Sequence, residues 1–110
     1  MPKYVTFFSY TGQTWDKMLA SPGDRTATIR ATAEAVGASV ESLHFMLGAH
    51  DGMLVLTAPD SVSAAAVITT ALGSGAFRAA ETHELFTQEQ LSDLLGKANT
   101  ARAAYLPPGT

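Results

Sequence analysis

His50 and Asp51 stand side by side within Leu47 to Asp60, LGAHDGMLVLTAPD. An imidazole next to a carboxylate can take up and return a proton, so this pair is a candidate general base with its orienting group. His44, six residues earlier inside the apolar run ESLHFML, is a third candidate for the same chemistry. Ser9, Tyr10, Trp15 and Arg78 carry the hydroxyl, aromatic and cationic groups that could orient a bound molecule. Each has a plainer reading as well. His50 and Asp51 suit a hairpin turn, where Asp accepts turn hydrogen bonds, and His44 suits a partly buried strand position.

What would bring these residues together is the arrangement of strands. Gly48 and Gly52 bracket a short linker between two strand-like runs, which predicts a hairpin. With a turn over Gly48 to His50, Leu47 faces Asp51, Phe45 faces Met53 and His44 faces Leu54. Pro59 cannot donate to a strand ladder, so the second arm stops there and Asp60 is free to cap a helix.

Around this hairpin the chain divides evenly. Lys3 to Thr11, KYVTFFSYT, is β-branched and aromatic and predicts a central strand. Gln13 to Ala20 predicts a helical turn, and Asp24 caps a helix over Arg25 to Val36 that Gly37 ends, with Ile29, Ala33 and Val36 on its buried face. Ala38 to Leu47 and Asp51 to Ala58 are the second and third strands. Ser61 to Leu72 is a helix with Val62, Ala65, Ala66, Thr69 and Leu72 at helical spacing. Phe77 to Phe86 is the fourth strand, and Thr87 with Gln90 forms a capping box for a last helix presenting Leu91, Leu94, Leu95 and Ala98. An extended tail, YLPPG, follows.

This order, βαββαβ plus a terminal helix, predicts an α+β fold of ferredoxin-like type in a single domain over residues 1–110. Right-handed crossovers give a four-stranded antiparallel sheet in order 4-1-3-2 with helices on one face. In that topology Ser9, Tyr10, His44, His50, Asp51 and Arg78 fall at one edge of the sheet, with Trp15 close by. The same layout separates His44 from His83 by three strand spacings of about 4.8 Å each, so no metal site is expected within one protomer. No cofactor is expected either: the Gly73-Ser74-Gly75 run follows a helix and precedes a strand, the reverse of a phosphate-binding loop.

Composition narrows the classes of function. Seven basic side chains against ten acidic give a net charge of −3, and the cations are scattered, which argues against nucleic-acid binding. No apolar run approaches the roughly 20 residues needed to cross a bilayer, so no membrane partner is expected. The absence of cysteine fits a reducing cytosol, and a cytoplasmic protein is expected.

The central strands are apolar on both faces, with Val5, Phe7, Leu54 and Leu56 at one parity and Phe8, Met53 and Val55 at the other. A sheet with one face in water would alternate apolar and polar residues. A second copy covering the face away from the helices is therefore expected, in a homodimer or higher oligomer, rather than the last helix and its tail folding back over it.

Taken whole, the sequence resembles the GYD-domain family. The resemblance is carried by MPKYVTFFSYT at the start, LGAHDGMLVLTAPDSVSAAA in the centre, LFTQEQL before the last helix and YLPPG at the close. Similar proteins read G-x-Y-D where this chain reads Gly48-Ala49-His50-Asp51, so a histidine replaces the tyrosine and the aspartate is kept. The resemblance implies a ferredoxin-like fold akin to dimeric α/β barrels, a class that includes small cofactor-free monooxygenases, and it brings no established reaction. Two roles follow as expectations. One is a small oligomeric domain; the other is a cofactor-free enzyme, monooxygenase- or isomerase-like, or a binding module that holds a small molecule in a cleft between sheet and helices.

Overall fold

The computed structural model describes all 110 residues. Its elements run β1 (Lys3–Tyr10), α1 (Gly12–Ala20), α2 (Thr26–Glu34), β2 (Ser39–Phe45), β3 (Gly52–Thr57), α3 (Ser61–Gly73), β4 (Phe77–Leu85) and α4 (Gln88–Arg102). The strands form one antiparallel sheet ordered β2-β3-β1-β4, which from the opposite edge reads 4-1-3-2. This is a ferredoxin-like α+β arrangement.

The helices start where side chains can satisfy free backbone N–H groups. Thr11 Oγ1 accepts from Thr14 N at 3.1 Å and opens α1, a full helix where a single turn was expected. Asp60 Oδ1 accepts from Ser63 N at 2.7 Å ahead of α3. Thr87 and Gln90 form the reciprocal capping box of α4. Asp24 acts one residue earlier than expected: its Oδ1 accepts from Thr26 N at 2.8 Å, and Arg25 occupies the cap position of α2. Gly37, at φ +77°, makes the left-handed exit behind α2.

The core lies between the sheet and the helices. Tyr4, Phe8 and Tyr10 of β1 join Val40, Leu54, Leu56, Ala33 and Val67 in one buried cluster. Two details differ from the sequence-based expectation. The hairpin pairs His44 with Met53 and Phe45 with Gly52, one residue away from the expected register. Met46 N donates to the Asp51 carbonyl at 2.8 Å, so the loop is Leu47 to His50, four residues rather than three. Because side chains alternate with period two, that single step moves His44 to the opposite face.

The second correction concerns which apolar residues share a face. Thr6 pairs with Leu54 and Val5 with Val55. Phe8, Leu54 and Leu56 therefore face the helices, while Val5, Phe7, Met53 and Val55 lie together on the other side. The buried face of α3 is also displaced: Ala64 and Val67 are buried, whereas Val62 is 77 % exposed.

No residue of α4 is buried, and its Leu91, Leu94 and Leu95 are all exposed. The radius of gyration is 17.8 Å, against about 13 Å for a compact chain of 100 residues. The molecule is long because α4 and the tail leave the body instead of folding across the sheet.

Candidate functional site

The expected single neighbourhood of chemistry-bearing residues divides in two. At the end of β1, Asp51 Oδ2 accepts from Tyr10 N at 2.8 Å and from the Trp15 indole Nε1 at 3.3 Å. Asp51 N in turn donates to the Phe8 carbonyl at 2.8 Å. Asp51 thus ties the β2–β3 loop to β1 and to α1. The Tyr10 ring packs edge-on against Trp15 and is stacked on Phe77 at 4.9 Å between centroids.

His50 turns the other way. Its ring lies 5.5 Å from that of Phe7, on the sheet face without helices, and its Nδ1 is buried with no hydrogen-bond partner. His83 lies 6.3 Å from Phe7 on the same face and bonds Glu81 at 2.9 Å, a contact that holds the Glu81 carboxyl below its usual range. His44, opposite Met53 and exposed, shares this face. Adjacent in sequence, His50 and Asp51 therefore diverge, and no hydrogen bond joins them. Ser9 is buried opposite Ala79, and Arg78 is exposed beside the irregularity that follows, with no ion pair. No group of three or more His, Asp or Glu side chains is placed to hold a metal ion.

On the helix side of the sheet, where a cleft was one of the expectations, the lining residues are mostly not the ones named from sequence. A cavity of about 590 Å³ opens between the sheet and α1, α2 and α3. Each element contributes the residues its period brings to one side. These are Thr6, Phe8 and Tyr10 from β1, Thr14, Lys17 and Met18 from α1, Thr28, Ile29 and Thr32 from α2, and Val67, Ile68 and Ala71 from α3, joined by Ser21 and Arg25 from the caps between α1 and α2. Its size falls in the range of cavities that hold small organic molecules, and its surface is mainly apolar although hydroxyl and charged side chains are interspersed among the lining residues. Of the candidates named from sequence, Tyr10 lines it; Ser9, Trp15, His44, His50, Asp51 and Arg78 do not.

Tyr10 is the titratable group set deepest in this wall. Burial pushes its phenol above the ordinary value, and the nearby Arg25 guanidinium pulls the other way. The spacing of Thr14, Lys17 and Met18 on α1 and of Thr28, Ile29 and Thr32 on α2 is the signal that could have located the cavity. It was legible as helical period but not as a void, because small side chains such as Ala33 and Ala71 can either close a gap or leave one.

The family model described as GYD domain matches residues 4–95. No curated protein is significantly similar in sequence. Among solved structures, MtbAldR superposes with a TM-score of 0.56 at 14 % identity, over 79 % of this chain and 52 % of its own. TTHA0845 from Thermus thermophilus superposes with a TM-score of 0.51 at 15 % identity, over 79 % of this chain and 95 % of its own. The chain therefore spans about half of the first and nearly all of the second, and at these identities the likeness is one of fold.

Proposed function

The chain belongs to the GYD domain family, and from that premise we propose that it is a self-associating module that binds a small molecule between its sheet and its helices. The observation that carries this reading is the cavity itself: about 590 Å³ bounded by three helices and the sheet, with Phe8, Ile29, Leu54 and Val67 in its walls. A void of this size lined by large apolar groups loses packing contacts that a bound molecule would restore. Binding is favoured over a cofactor-free monooxygenase or isomerase reaction because His44, His50 and Asp51, the candidate acid-base groups, stand outside these walls.

Self-association accounts for the opposite face. Val5, Phe7, Met53 and Val55 have no helix over them, and α4 offers none of its residues as a cover. Two copies meeting at these faces form a dimeric α/β barrel type of assembly, and a partner group there could satisfy the orphaned His50 Nδ1. The absence of cysteine and of any helix long and apolar enough to cross a membrane is compatible with work in the cytoplasm.

Nile red, a neutral apolar fluorophore, tests the binding reading. Saturable fluorescence at one site per chain is expected, with loss of that signal in Val67→Phe, whose added volume fills the cavity. A folded Val67→Phe protein that binds Nile red as well as the parent does would overturn it, as would a parent protein that binds none.

A further inference from the structure

We propose that the molecule held in this cavity is an amphipathic anion, an apolar body carrying one carboxylate or similar acidic head, with the head at the α1–α2 end between Lys17 and Arg25. The proposal rests on the binding reading above and adds the chemical class of the ligand. Most of the cavity wall is apolar, with Phe8, Met18, Ile29, Leu54 and Phe77 among its residues, so the body of a ligand would be hydrocarbon or aromatic. Its charged groups are confined to one place. Lys17 in the last turn of α1, and Asp24 and Arg25 ahead of α2, flank the short connection between the two helices.

Among the residues lining that end, positive charges outnumber negative ones. Neither Lys17 nor Arg25 has a carboxylate within ion-pair distance; the ion pairs in the structure are Lys3 with Glu41 and His83 with Glu81. Asp24 is already engaged by Thr26, whose side chain and N–H together hold its carboxyl below the usual range, so it remains a single negative charge against two positive ones in the wall. This local excess of cation occurs in a chain whose net charge is −3 and which has only seven Lys and Arg residues. Arg25 is exposed to solvent on one side and lines the cavity on the other, and Tyr10 lines it too. A guanidinium can hold a carboxylate through two parallel hydrogen bonds, and the Tyr10 hydroxyl could add a third donor.

Displacement of Nile red by two molecules of equal chain length, decanoate and decanol, separates the two layers of the argument. An apolar cavity without charge recognition would favour decanol, the less soluble of the pair. The expected result is displacement by decanoate at a concentration at least about tenfold lower, since only decanoate brings a charge opposite to Lys17 and Arg25. Arg25→Gln and Lys17→Gln should each shrink that advantage, and the double variant should abolish it, with displacement by decanol weakened far less than displacement by decanoate. Equal displacement by the two molecules, a preference for decanol, or a decanoate advantage that survives in the double variant would overturn the anionic head while leaving the cavity reading intact. Failure of Nile red to bind would remove both.

Discussion

Asp51 and Gly52 show how neighbouring residues serve different surfaces. Asp51 satisfies the Tyr10 amide and the Trp15 indole with one oxygen. Asp51→Ala leaves a buried backbone donor without its partner, so a loss of about 1–3 kcal/mol is expected in urea unfolding, with a shift in Trp15 fluorescence. At Gly52 the constraint is space. A Cβ there would come within 2.1 Å of the Phe8 ring, which lines the cavity. Gly52→Ala must displace that ring, and a cost of about 1–3 kcal/mol together with weakened Nile red binding is expected. A Gly52→Ala protein with parental stability and binding would show that the ring moves aside freely. The sequence disclosed Asp51 as a turn residue with spare hydrogen-bonding capacity. It did not disclose the partner, because the partner comes from a register that depends on a loop of four residues rather than three.

At the level of elements, the strands and caps were the legible part. Asp60, Thr87 with Gln90, and Gly37 act locally, so their effect is written in a few neighbouring residues. The face of α3 was not legible in the same way. In SVSAAAVITTALG almost every position is apolar or small, so the period of the helix selects no stripe, and tertiary packing decides that Ala64 and Val67 face inward while Val62 does not. The cap at Asp60 gives a pH prediction. Hydrogen bonds from Ser63 hold its carboxyl below the ordinary value in the fold, so its contribution is complete above the unfolded-state pKa and is lost as pH falls through the lowered one. Asp60→Asn keeps a side-chain acceptor without the charge. The difference in Tm between parent and variant should be present at neutral pH and vanish at a pH well below the carboxylate range; a difference independent of pH would contradict this account.

For the whole molecule, the sheet has two faces with separate tasks. Helices and a cavity occupy one; the other carries Val5, Phe7, Met53 and Val55 with His50 and His83 around Phe7. The apolar character of both faces was visible in the sequence, but which residues shared a face was not, since that depends on the pairing of Thr6 with Leu54. Sedimentation at micromolar concentration is expected to give a dimer or larger. Val55→Lys, which sets a charge on the open face, should weaken association about ten- to a hundredfold, the equivalent of losing one buried aliphatic side chain. Its cavity is on the other side, so Nile red binding should persist.

The proposed ligand site lies between the sheet and the helices. Methyl NMR of protein labelled at Ile, Leu and Val, titrated with neutral decanol, measures that directly. Shifts are predicted at Ile29, Leu54, Val67 and Ile68, which line the cavity, with Val5 and Val55 unmoved. Shifts confined to Val5 and Val55, or a spectrum unchanged throughout, would contradict it.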